Sequence, residues 1–190
     1  MEPTSASRPP VTPVMRRDDQ TRVIFLVGFM GAGKTTVGQA LARRLGWPFE
    51  DLDDRIERQQ QRSIEEIFRD SGESEFRRAE SAELRELIEN LDQSRRIIAL
   101  GGGAVAQPEN AALLEDAGVP VIFLDASPDE LFRRCSGDGR ERPLRGDLKQ
   151  FCALYEHRRP FYLTATYHID TAGKDQETIA REVACSLGLG

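Results

Sequence analysis

The stretch "VIFLVGFMGAGKTT", Val23 to Thr36, decides the fold. Its five leading apolar residues read as a buried strand, and a glycine-rich turn follows. The amphipathic "TTVGQALARRLG" comes next and reads as a helix closed by Gly46. The spacing of Gly28, Gly33, Lys34 and Thr35 is that of a phosphate-cradling loop. Backbone N–H groups converge on a polyphosphate only where side chains are absent, and Gly28, Gly31 and Gly33 meet that need. The helix behind the loop adds the positive end of its dipole. Lys34 supplies a point charge for the terminal phosphates, and the Thr35 hydroxyl is placed to ligate Mg²⁺.

Outward from this loop, short apolar runs alternate with amphipathic stretches. "PFEDLD" reads as a short strand leaving into acids, Glu73 to Leu91 as a helix, and "RIIALGGG" as a strand stopped by three glycines. "PENAALLEDAG" is a helix, "VPVIFLD" a strand, and "SPDELFRRC" a helix opened by Ser127 as N-cap with Pro128 at its first position. The Gly-, Pro- and Arg-rich "SGDGRERPLRGD", Ser136 to Asp147, reads as a mobile loop and a candidate lid. The helical "LKQFCALYEHRRPFY", an edge strand "TYHID" and a closing helix "KDQETIAREVACSLG" complete the chain. Strands alternating with helices predict an α/β fold: a parallel sheet covered on both faces.

Bulk composition narrows the class. A chain of 190 residues, 39% apolar and 31% charged, fits one soluble domain with a real core. No apolar run approaches the roughly 20 residues that cross a bilayer. A net charge of −6 argues against general nucleic-acid binding. Cys135, Cys152 and Cys185 are widely spaced and odd in number, which points to reduced thiols and a cytoplasmic protein. Residues 1–20, rich in Pro, Ser and Thr with no apolar core, read as a disordered tail rather than a secretory signal.

The chemistry narrows further. A GTPase would want Asn-Lys-x-Asp, whereas Asn90 and Asn110 are followed by Leu and Ala. A motor ATPase would want an apolar strand ending in a Mg²⁺-organising acid; Asp125 is the best candidate, but "ASPDE" after it looks like a helix start, which favours a structural role. A small-molecule kinase fits better. Strand alternation would place Asp51 and Asp53 on one side of an extended segment, one carboxylate for hydrated Mg²⁺ and one for an acceptor hydroxyl. A helix N-terminus enriched in acids would explain Asp53 and Asp54 without chemistry. The dispersed Arg77, Arg142 and Arg158 favour the first reading, because an anionic acceptor needs guanidinium partners.

These motifs, "GFMGAGKTT", "FEDLDDRIE", "SIEEIFRDSGESEFRRAE", "IIALGGGAV", "RPL" and "RRPFY", stand in the order and spacing of the shikimate kinases, and the resemblance runs from about Arg22 to the C-terminus. It implies a three-layer P-loop NTPase fold of the nucleoside-monophosphate-kinase type with a five-stranded parallel sheet. A substrate-binding helical region at about 51–92 and a mobile lid at about 135–147 would sit within a single domain, 21–190. It implies transfer from ATP to the 3-hydroxyl of shikimate in chorismate and aromatic amino-acid biosynthesis, by a monomer with neither nucleic acid nor membrane as partner. Carried over by motif, Asp53 would hold the hydroxyl as base, with Lys34 and Arg142 stabilising phosphoryl charge. Asp51, through water, and Thr35 would hold Mg²⁺. Arg77 and Arg158 would grip the shikimate carboxylate, and the backbone of Gly101, Gly102 and Gly103 would line the acceptor. Gly31, Ala32, Gly33, Lys34, Thr35 and Thr36 would wrap the ATP phosphates. Arg134 would face adenine, with Arg133 the alternative in a lid about one residue longer than the family pattern, and Lys174 would lie near the base.

Overall fold

The computed structural model describes residues 22–91, 95–137 and 147–189. Strand β1 (Val23–Val27) is buried along its whole length: a parallel neighbour on each side, β3 (Arg96–Ala99) and β4 (Val121–Asp125), takes its backbone bonds, and the crossover helices cover its side chains. Strands β2 (Phe49–Asp51) and β5 (Tyr167–Asp170) form the edges, giving the order β2-β3-β1-β4-β5, all parallel. A parallel sheet needs a crossover between successive strands, and helices supply these. The order reverses at β1, so the crevice beyond its C-terminal end is the natural ligand site of such a sheet.

Helix α1 (Lys34–Leu45) follows β1, turns Val37, Ala40 and Leu41 inward, and ends at Gly46 in the left-handed region. It packs against α8 (Gln176–Ser186). Helices α2 (Leu52–Gln60), α3 (Ile64–Ser71) and α4 (Glu73–Glu89) come between β2 and β3, and α2 and α3 both pack on α4. The first two are additions to the elements read from the sequence, although "SIEE" carries the signature of the capping box that starts α3, where Ser63 and Glu66 cap each other's backbone N–H. Helix α5 (Pro108–Ala117) joins β3 to β4. Helix α6 (Pro128–Gly137) starts where read, with Ser127 Oγ accepting from the Glu130 N–H at 3.4 Å. Helix α7 (Leu148–Tyr162) starts at a capping box between Asp147 and Gln150.

One expectation is corrected. Asp51 and Asp53 do not alternate along a strand: Asp51 is the last residue of β2 and the N-cap of α2, and Asp53 lies in the first turn of that helix. The Asp51 carboxylate accepts the Asp53 N–H at 3.1 Å, and this bond bends strand into helix. The two acids are neighbours through a cap rather than through a pleat. The tail at 1–20, and within the lid residues 138–146 with Arg142, lie outside the described residues. Among the described residues, no helix is long and apolar enough to cross a membrane.

Candidate active site

The phosphate loop, the Asp51 cap and the glycine run sit at the C-terminal ends of β1, β2 and β3. After β1 the chain takes left-handed conformations at Gly31 (φ 82°) and Gly33 (φ 86°), so that successive N–H groups curl inward. The turn is also packed from behind: a Cβ on Gly31 would lie 2.6 Å from the Leu131 carbonyl oxygen. Lys34 Nζ reaches back across the loop to the carbonyls of Gly28 (2.9 Å) and Phe29 (3.3 Å). Thr36 Oγ1 donates to Gly33 O at 3.0 Å, and Ala32 is buried beneath the turn.

Thr35 Oγ1 donates to Asp51 Oδ2 at 2.9 Å, which sets a hydroxyl and a carboxylate oxygen side by side at the start of α1. Mg²⁺ keeps several waters and takes only one or two protein oxygens beside substrate phosphates, so this pair fits it. Among the described residues no group of three His, Cys, Asp or Glu could enclose a metal. In the first turn of α2, Asp53 Oδ1 is sealed from solvent with no hydrogen-bond partner among the described residues. Burial, then the neighbouring charges of Asp51 and Glu80, push the Asp53 carboxyl up to about 7, with Lys34 pulling the other way.

The three glycines after β3 are where the acceptor-side residues meet. A Cβ on Gly101 would lie 2.9 Å from Asp53 Oδ1 and 2.5 Å from Glu80 Oε1. Gly102 accepts from Arg158 Nη1 at 3.3 Å and also from the Tyr162 hydroxyl. A Cβ on Gly103 would strike both terminal nitrogens of Arg77 at 2.6 Å. Three consecutive residues thus meet five side chains from α2, α4 and α7, each against bare backbone. At Gly102 a Cβ would meet the phosphate loop itself, Gly28 O at 3.6 Å and Met30 N at 3.8 Å, which are ordinary contacts. The glycine run therefore bridges the phosphate loop to the cluster of Asp53, Arg77 and Arg158.

Both arginines are held firmly. Arg158 is 7% exposed, and its guanidinium stands 6.0 Å over the Phe29 ring. Arg77 pairs with Glu80 at 2.8 Å and with Glu73 at 3.0 Å, one turn to either side on α4. Glu80 is wholly buried; burial raises its proton affinity against the pull of Arg77. The sequence reading assigns Glu80 no role, although its spacing three residues beyond Arg77 marks one helix face.

On the far side of the loop, a cleft of about 400 Å³ is lined by Gly31, Gly33, Thr36, Arg133, Arg134 and Lys174, among others. Arg134 is anchored there, donating to Thr171 Oγ1 (3.0 Å) and Thr171 O (2.8 Å). Arg133 pairs with Glu130 and is largely exposed. Lys174 Nζ is tied to Glu182 at 2.8 Å. Asp125, the alternative metal acid, is engaged elsewhere: it accepts from the Tyr155 hydroxyl (3.0 Å) and Arg159 Nη2 (3.2 Å) and so ties β4 to α7.

A family model for shikimate kinase matches residues 30–187. The chain belongs to the shikimate kinase family. It is therefore an enzyme, a kinase that transfers a phosphoryl group from ATP to shikimate. Its similarity to the shikimate kinase of Geobacter sulfurreducens is 45% identity over 166 residues, covering 86% of this chain and 89% of the relative. The solved shikimate kinase from Acinetobacter baumannii in complex with shikimate matches with a TM-score of 0.81 at 33% identity, over 90% of this chain and 95% of that one. A gluconokinase from Sinorhizobium meliloti, at 20% identity and a TM-score of 0.57, shares the fold alone.

Proposed function

We propose that the chain phosphorylates the 3-hydroxyl of shikimate with Asp53 as base, Arg77 and Arg158 as carboxylate clamp and MgATP as donor, feeding chorismate and aromatic amino-acid synthesis. The observation that carries this reading is the meeting of Asp53, Arg158 and Arg77 on Gly101, Gly102 and Gly103, in contact with the phosphate loop. Phosphoryl transfer asks a protein mainly for positioning and charge stabilisation. An acid with its proton affinity raised to about 7 is a stronger base than an ordinary carboxylate and is still ionised in mildly alkaline solution. The acceptor hydroxyl donates to the Asp53 carboxylate, whose Oδ1 is sealed and without a partner among the described residues, so that burial raises the group's proton affinity. Two guanidinium groups hold the acid's carboxylate, each charge-assisted bond contributing on the order of 1.5–3 kcal/mol. The Gly102 N–H faces the acceptor, and a Cβ there would stand in ordinary contact with Gly28 O, Met30 N and Arg158 Nη1.

Thr35 and, through water, Asp51 would hold Mg²⁺, which when bound neutralises charge on the ATP phosphates. Lys34 turns from the loop carbonyls to the β- and γ-phosphates, which lie along the N–H groups from Gly31 to Thr36. Arg134 and Lys174 flank adenine in the cleft beside the loop. The region 51–92 binds the acceptor; Arg142, expected to stabilise phosphoryl charge, lies outside the described residues. A monomer suffices for this reading, since one chain supplies every group named here, and the three free cysteines suit a cytoplasmic setting.

The test is ADP release from ATP and Mg²⁺ with and without shikimate, beside a panel of sugar acids including gluconate. Shikimate-dependent release is expected. Release with gluconate instead would move the reading to a sugar-acid kinase, and nucleotide binding with no acid-dependent release would make the chain a regulatory module.

A further inference from the structure

We infer that Gln107 is a positioning residue for the acceptor site, acting through Glu80 on Arg77. The inference deepens the shikimate-clamp reading and rests on it. Gln107 occupies the N-cap position of α5, where Ser, Thr, Asp or Asn would satisfy a free backbone N–H. Its side chain makes no cap bond. It crosses instead to α4, where Nε2 donates to Glu80 Oε2 at 2.7 Å. Ser81 Oγ, on the same helix as Glu80, donates to Gln107 Oε1 at 3.4 Å and orients the amide so that its NH₂ faces the carboxylate. A position suited to capping is thus used to reach a wholly buried acid 27 residues away.

The consequence is electrostatic as well as geometric. Glu80 Oε2 receives two donors, Gln107 Nε2 and Arg77 Nη1. This fixes the carboxylate plane and leaves Oε1 against Gly101, beside Asp53. Because Gln107 bears part of the carboxylate's demand for donors, Glu80 draws less on Arg77. The guanidinium, whose terminal nitrogens lie close over Gly103, then keeps donor capacity to offer an incoming carboxylate. Without Gln107, Arg77 is the only donor left on Oε2 among the described residues, and Glu80 both holds it harder and is freer to rotate toward Asp53. The sequence gives no hint of this link, since Gln107 and Glu80 belong to different helices separated by the whole of β3.

Gln107→Leu and Gln107→Ser distinguish positioning from mere structure. Leu keeps the bulk and removes the donor. Ser removes the reach to Glu80 but suits the cap, so the folded chain should melt no earlier than wild type. Each variant is expected to raise the KM for shikimate about five- to tenfold, the scale of one ordinary hydrogen bond because the effect reaches the substrate through Glu80 and Arg77, while the KM for ATP moves less than about twofold. An unchanged KM for shikimate in both variants, or an equal rise in both KM values, would overturn the inference. A wild-type enzyme showing no shikimate-dependent ADP release would instead overturn the functional reading beneath it.

Discussion

Asp53→Asn should make the folded chain more stable while removing most of its turnover. The carboxyl has an ordinary value near 3.8 and is pushed up to about 7 by burial first, then by Asp51 and Glu80. Most structural carboxylates shift downward and stabilise at neutral pH. Here the shift is upward, so the folded chain binds this proton more tightly than the unfolded one. Between pH 4 and 7 the unfolded chain has shed the proton and the folded chain retains it, so stability falls as pH rises, and the penalty is complete above about 7. The distance from 3.8 to about 7 corresponds to about 4 kcal/mol at pH 8, of which about 2–3 kcal/mol develops between pH 5 and pH 8. Asparagine has the same shape without the charge, so the penalty disappears. Urea denaturation followed through Trp47, the single and nearly buried tryptophan, measures both proteins at the two pH values. The stability gap between variant and wild type should widen by about 2–3 kcal/mol at the higher pH. A gap that does not change with pH refutes the reasoning about Asp53's environment, and wild-type-like turnover in the variant removes Asp53 from catalysis.

The same geometry sets three further outcomes. The kcat/KM for shikimate should rise with pH through about 7 as Asp53 loses its proton; a flat profile down to pH 5.5 would contradict its assignment as base. Gly103→Ala drives a methyl into the Arg77 guanidinium and should raise the KM for shikimate about tenfold or more, whereas Gly102→Ala meets only ordinary protein contacts and should leave the melting temperature unchanged while obstructing the acid. Arg158→Ala should raise the KM for shikimate about ten- to a hundredfold and that for ATP far less, with Arg134→Ala showing the reverse preference; equal effects on both substrates would dissolve the division into two subsites.

The range of each interaction decides whether it is legible in the sequence. The strand-loop-helix of Val23 to Leu45 is specified locally by apolar run, glycines and periodicity, and it folds as read. The acidic segment departs from its reading because period-two alternation stops at Asp51, where one side-chain cap starts a helix. Helix α2 is short and mostly polar, so its pattern is faint, whereas the cap of helix α3 is plain in "SIEE". Arg77 and Arg158 can be named from motif spacing, but their meeting on consecutive glycines is a tertiary fact between α4, β3 and α7. The same holds for Glu80 with Gln107, and for Asp125, whose partners lie 30 and 34 residues away on α7.

The bonds from Asp125 to Tyr155 and Arg159 also govern which parts of the gene can drift in length. A helix turns about 100° per residue, so adjacent Arg158 and Arg159 face apart, one toward the glycines and one toward the end of β4. Adding or deleting one residue between Leu148 and Arg158 would swing the first guanidinium away from the acceptor. Asp147 and Gln150 clasp the start of this helix, so a change of length before Asp147 ends at the clasp and leaves the helix beyond it unrotated. Insertions ahead of Asp147 are thus tolerable to the arginine behind it, while the next ten positions must keep strict count.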